Sequence, residues 1–142
     1  MPSHSPVVTE QMAYRLPASA DVVLRLHYKK TWITEGQEFS DRTRVALYLS
    51  DGEPAEIQSL TIGSPSTVSG RHVTFTHEIQ DPLTVVALLP EIDIESSQLK
   101  VEAVNPDGSR IPMLWLREPD LGWPTRFWFD TPVILSKGSQ LQ

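Results

Sequence analysis

An all-β fold, an antiparallel β-sandwich of jelly-roll type in a single domain, is what this sequence predicts, and three observations carry the prediction. Apolar residues recur at a period of two in segment after segment, and the 3.6-residue period of a helix does not recur. Clusters of Gly, Pro, Asn and Asp separate those segments at the regular spacing of a sandwich's short strands. The 12 prolines are the third sign, since proline removes a helical hydrogen bond and clashes with the preceding turn.

Residues 1–13 read as a flexible N-terminal segment and 14–142 as the sandwich domain. The first strand expected is "DVVLRLHY", where Val22, Leu24, Leu26 and Tyr28 share one face. "TWITEGQEFSD" then interrupts the pattern. Its Trp32 and Phe39 are candidates for an interaction surface, against the plainer reading of a loop folded over the open end of the sandwich. "TRVALYLS" repeats the alternation with Val45, Leu47 and Leu49, "AEIQSLTI" is a further candidate strand, and "HVTFTHEI" continues with Val73, Phe75, His77 and Ile79.

"LTVVALL" is apolar on both faces and too short for a helix, which suggests a central strand covered on both sides. "QLKVEAVN" and "IPMLWL" follow, joined by "NPDGS", in which Pro106 presets a turn and Gly108 supplies a positive φ. "RFWF", "PVILS" and the beginning of another strand in "SQLQ" complete the set. In "RFWF", Phe127 and Phe129 fall on one face and Trp128 on the other. An outward Trp128 beside Trp123 or Trp115 would make an aromatic docking platform, and inter-sheet packing is the alternative.

At 142 residues and 16.0 kDa the chain has room for one domain with a core. Its net charge of -6 and pI near 5.1 oppose nucleic-acid binding, which relies on clustered Lys and Arg. The lack of cysteine excludes disulfides, thiolate metal ligands and cysteine nucleophiles. The opening "MPSHSPVVTE" shows no signal peptide, no apolar run reaches membrane-spanning length, and the chain reads as soluble. Nucleophile-elbow, phosphate-loop and dinucleotide motifs are absent from the sequence.

Two groups of polar residues are candidates for chemistry. In "LLPEIDIESS" the acids Glu91, Asp93 and Glu95 alternate with Ile92 and Ile94, so a strand there would gather three carboxylates on one face. Calcium is one reading of them; a solvated strand face is the preferred one, because the segment lacks the Asp, Asn and Gly density of a calcium loop. Among the histidines, His72 and His77 would lie on opposite faces of one strand and could not chelate together, with His77 at a core or rim position. His4 belongs to the N-terminal segment.

Several segments together resemble the copper type II ascorbate-dependent monooxygenases, the family of peptidylglycine α-hydroxylating monooxygenase, particularly its bacterial relatives. "YRLPASADVVLRLHYKKTW" with "SDRTRVALYLS" is similar to a family segment whose strand ends in His-Tyr. "LPEIDIESSQLKVEAVNPDGS" is similar to the bacterial Pro-His-Met-His segment and its hairpin, and "PDLGWPTRFWFDTPVILSKGS" to the Asp-x-x-Trp-Gln strand and following turn. The resemblance runs from Tyr14 onward and implies a jelly-roll sandwich, copper, and a periplasmic or extracellular location. Of the family's copper ligands it carries over only His27, while Glu91 and Asp93 stand at the positions of the paired histidines.

One imidazole cannot hold a copper ion through a redox cycle, and hard carboxylates disfavour Cu(I). The expectation is therefore a noncatalytic monooxygenase-like sandwich, an interaction or structural subunit working with a protein partner or larger complex. No cofactor of its own is expected, with copper entering only if ligands come from outside this chain. Two alternatives stand beside it: a piece of a copper monooxygenase completed by other segments, and a sandwich that binds a small ligand or carbohydrate.

Overall fold

Alternating apolar residues become strands only where a second strand completes their hydrogen bonds, and this requirement divides the molecule. The structure, a computed structural model, describes residues 12–26, 28, 30–38, 40–63, 67–91, 98–119 and 124–142. Among them it is all-β, with no helix. The chain falls into two compact units: an N-terminal one, within Val8–Ser59, and a C-terminal one, within Leu60–Gln142.

In the N-terminal unit, β1 (Met12–Ala13) and β2 (Ala55–Glu56) form a short parallel pair, extended by the bond from the Ile57 amide to the Ala13 carbonyl at 2.8 Å. Around the turn at 32–36, Thr34 donates its amide to the Thr31 carbonyl at 2.9 Å and Lys30 reaches the Gln37 carbonyl at 2.9 Å. The Tyr28 hydroxyl donates to Asp41 Oδ2 at 2.8 Å, and that same oxygen accepts the Thr43 hydroxyl at 2.7 Å. These bonds tie the two ends of the 31–41 loop together.

The strands expected over 21–28 and 43–50 are not ladder strands among their described residues. Their apolar side chains face solvent, with Val23 at 88% and Tyr48 at 96% exposure. The physical reason is that alternation decides which side chains share a face, whereas a strand also needs a partner in register. Likewise only Ala55–Glu56 of "AEIQSLTI" is strand, with one further backbone bond from Ile57.

The C-terminal unit satisfies both conditions. The strands β3 (Thr67–Ser69) and β4 (His72–Thr74) form a hairpin, so His72 lies on a different strand from His77, which belongs to β5 (His77–Glu78). This corrects the expectation of one strand through "HVTFTHEI". Next come β6 (Leu83–Leu88), β7 (Gln98–Val104), β8 (Arg110–Arg117), β9 (Phe127–Leu135) and β10 (Gln140–Leu141). "RFWF" and "PVILS", expected as two strands, are one strand pairing antiparallel with β6 across a register shift that leaves Asp130, Thr131 and Pro132 exposed.

The main sheet has the order β5-β10-β7-β8. Its hairpin between β7 and β8 follows from "NPDGS": the Gly108 amide donates to Asn105 at 2.9 Å, the Asn105 amide to Ser109 at 2.8 Å, and Gly108 sits at φ 83. That is a tight turn followed by a left-handed residue, the usual three-residue hairpin loop. Asp107 Oδ1 accepts first the Ser109 hydroxyl and then its amide, which together hold its carboxyl below the ordinary aspartate range.

The last residues of the chain lie at the centre of this sheet. Leu141 pairs with His77 on one side and Ala103 on the other, and it is buried with Ile79, Ala103 and Leu135. Leu83, Val85, Val101, Ile111, Met113 and Val133 pack around that cluster. The turn into β10 uses Gly138 at φ 82, whose amide donates to the Ile79 carbonyl at 2.8 Å. Buried Ser139 donates its hydroxyl to Asn105 Oδ1 at 3.2 Å, joining the β7–β8 turn to the core.

Candidate functional site

On β7, residues two apart share a face, which separates Leu99, Val101 and Ala103 from Gln98, Lys100 and Glu102. On β8 the apolar set changes phase between Met113 and Leu114. The register shows why: Val101 faces Leu114 but Glu102 faces Pro112, so Met113 is an extra residue, a β-bulge. The bulge keeps Ile111, Met113, Leu114 and Leu116 half-buried while Arg110, Pro112, Trp115 and Arg117 are exposed.

The outer face of this hairpin is a charged aromatic surface. Trp115 stands opposite Lys100 with 60% of its surface exposed, and its indole N–H points at Gln98 Oε1 at 3.4 Å. The Arg117 guanidinium lies 4.7 Å from the ring centroid, within cation–π range. Glu102, with a side chain 14% exposed, takes Lys100 Nζ at 2.6 Å and pairs also with Arg110. The hydrogen bond from Lys100 holds the Glu102 carboxyl below the ordinary glutamate range; partial burial opposes this, and the charge of Arg110 adds to it. The face thus carries three cations, two of them on the Glu102 carboxylate and Arg117 over Trp115, in a chain of net charge -6.

The residues singled out in the sequence are dispersed. Trp32 lies in the 32–36 turn at 84% exposure, and Trp128 is half-buried on β9 opposite Ala87, with the Arg126 guanidinium 5.7 Å from its ring. Glu91 is exposed just after β6, outside any strand. His27, Phe39, Asp93, Glu95 and Trp123 lie outside the described residues. His77 is half-buried opposite Leu141, at a rim position.

Sequence reasoning missed the charged face. Its signal was the Gln98, Lys100, Glu102 alternation in "QLKVEAV" together with the phase change at Met113-Leu114. Copper fits poorly at the resembled positions, because Glu91 and Asp93 offer hard oxygen donors where Cu(I) requires imidazole or thioether. Among the described residues no group of three or more His, Asp or Glu is placed to hold a metal ion, and no helix is long and apolar enough to cross a membrane. Comparison with family models, with curated proteins and with solved structures finds no match to this chain.

Proposed function

We propose that this chain is a noncatalytic interaction or structural module, a monooxygenase-like β scaffold that docks on a protein partner within a larger assembly. The observation that carries it is the run of exposed apolar side chains in the N-terminal unit: Val22, Val23, Leu24 and Leu26, and Val45, Leu47, Tyr48 and Leu49. Isolated exposed apolar residues are ordinary, but dense runs of them mark surfaces covered by another molecule. These segments carry the alternation of strands and are not ladder strands, so a partner able to supply both apolar contact and backbone pairing would stabilise them.

The test is the size of the native protein by light scattering after gentle recovery. The expected result is an assembly well above 16.0 kDa that Val23→Asp with Leu47→Asp disperses. A native monomer would overturn the proposal. Stoichiometric tight copper after exposure to copper and ascorbate would favour instead the reading of a piece of a copper monooxygenase completed from outside this chain.

A further inference from the structure

The main sheet has an open edge along β8, because β8 is last in the order β5-β10-β7-β8 among the described residues. The direction of its backbone groups follows from the other side of β7. Glu102 exchanges both of its backbone hydrogen bonds with Gln142, each at 2.9 Å. The N–H and C=O of a strand residue point to the same side, so Glu102 turns away from β8 and its pairing with Pro112 is a non-hydrogen-bonded one.

Pro112 consequently presents its backbone to the open edge, where its missing N–H leaves no ladder bond unmade. Lys100 and Gln98 lie two and four residues from Glu102 on β7, so their partners Trp115 and Arg117 also turn their N–H and C=O outward. The two halves of the edge therefore differ. Residues 110–113 are blunted by Pro112 and the bulge, the usual protections against strand addition. Residues 114–117 are regular and open, and Glu118, at φ 47, ends them.

We propose that residues 114–117 capture an extended acidic segment of a protein partner as an added strand. Two of its residues would exchange backbone bonds with Trp115 and Arg117. Its outward side chains would neighbour Arg117 and Trp115, with Lys100 one strand further, so that carboxylates fit there. Its inward side chains would continue the apolar surface of Leu114 and Leu116 and so would be apolar. A second copy pairing through the same edge would add its own Arg117 and Lys100 to this face without supplying a new carboxylate, whereas an acidic strand brings the opposite charge to the cations. Charge thus selects an acidic partner over self-pairing.

The inference rests on the interaction-module reading and fails separately from it. The experiment titrates the full chain into a fluorescein-labelled octapeptide alternating Glu and Val, followed by anisotropy, beside a peptide alternating Lys and Val. Saturable binding of the acidic peptide, weakened by salt and reduced about fivefold or more by Arg117→Glu, is expected. Trp115→Ala keeps the outward N–H and Trp115→Pro removes it without touching the β7 ladder, so the proline variant binds more weakly than the alanine one.

Equal binding of the basic peptide, or no effect of Arg117→Glu in a variant with native circular dichroism, overturns the proposal. So does a wild-type dimer that Arg117→Glu disperses. Should Trp115→Pro fail to fold, the Arg117→Glu comparison still decides. Failure to bind the acidic peptide while the native assembly persists rejects this edge site alone; a native monomer rejects the module reading whatever the peptide does.

Discussion

Leu141 and Leu49 make an instructive pair. Both end short alternating segments, "SQLQ" and "TRVALYLS". In the C-terminal unit Leu141 is held between two strands and buried against Ile79, Ala103 and Leu135. In the N-terminal unit Leu49 is exposed and belongs to no strand. The difference is the presence of neighbours: β5 and β7 flank Leu141 on both sides, and burial follows the ladder. The contrast locates stability in one unit and available surface in the other.

The strongest way to break this contrast is to delete side chains from each unit. Ile79→Ala removes a core side chain with 1% exposure and is expected to lower the unfolding free energy by about 2–5 kcal/mol. Val23→Ala and Leu49→Ala, on exposed positions, should each stay within about 0.5 kcal/mol. Urea unfolding of the isolated chain measures both. Comparable losses would mean that 22–26 and 45–49 are packed after all.

A smaller effect tests whether the centre of the sheet depends on its last turn. Gly138 holds φ 82 with open space around a would-be Cβ except for Pro106 Cγ at 3.5 Å, an ordinary contact. Gly138→Ala therefore meets conformational strain rather than a clash, and is expected to cost about 1–2 kcal/mol. Gly52→Ala, in the N-terminal unit, meets nothing within 4 Å and has no positive φ, so it should be near neutral. If the two substitutions shift the urea midpoint equally, β10 is not the keystone of the C-terminal unit.

The local features of that unit were legible because their determinants are local. "NPDGS" announces its own hairpin and "QLKVEAVN" carries the apolar alternation of the strand it forms. By contrast "LTVVALL", expected as a central strand covered on both sides, pairs among the described residues with β9 alone and is mostly half-buried, because a continuous apolar run states no partner. The central place of β10 was not legible, since it comes from pairing with β5 and β7, far away in sequence. The same gap explains the strands expected at 21–28 and 43–50: an alternating pattern states a face and is silent about its partner. For the candidate site, Trp115 was visible as one of a cluster of aromatics, but Lys100 across from it and Arg117 over its ring were not. Their arrangement requires the β7–β8 register and the bulge at Met113.

The smallest predicted effects concern two carboxylates that are both held below their ordinary range by different means. For Glu102 the hydrogen bond from Lys100 leads and the charge of Arg110 contributes; for Asp41 the donors are the neutral hydroxyls of Thr43, first, and Tyr28. Each group stabilises the fold fully above its unfolded value, 4.5 for Glu102 and 3.8 for Asp41, and loses that contribution as pH falls through the lower folded value. Ionic partners are screened by salt and hydroxyl donors hardly at all. In a carboxyl NMR titration, 1 M salt, where the Debye length is about 3 Å, should move Glu102 upward and leave Asp41 in place. Tyr28→Phe should do the reverse, raising Asp41 while Glu102 is unchanged. If salt raised both equally, Asp41 would be governed by charge rather than by its hydroxyl pair, and the ordered loop ends of the N-terminal unit would need a different explanation.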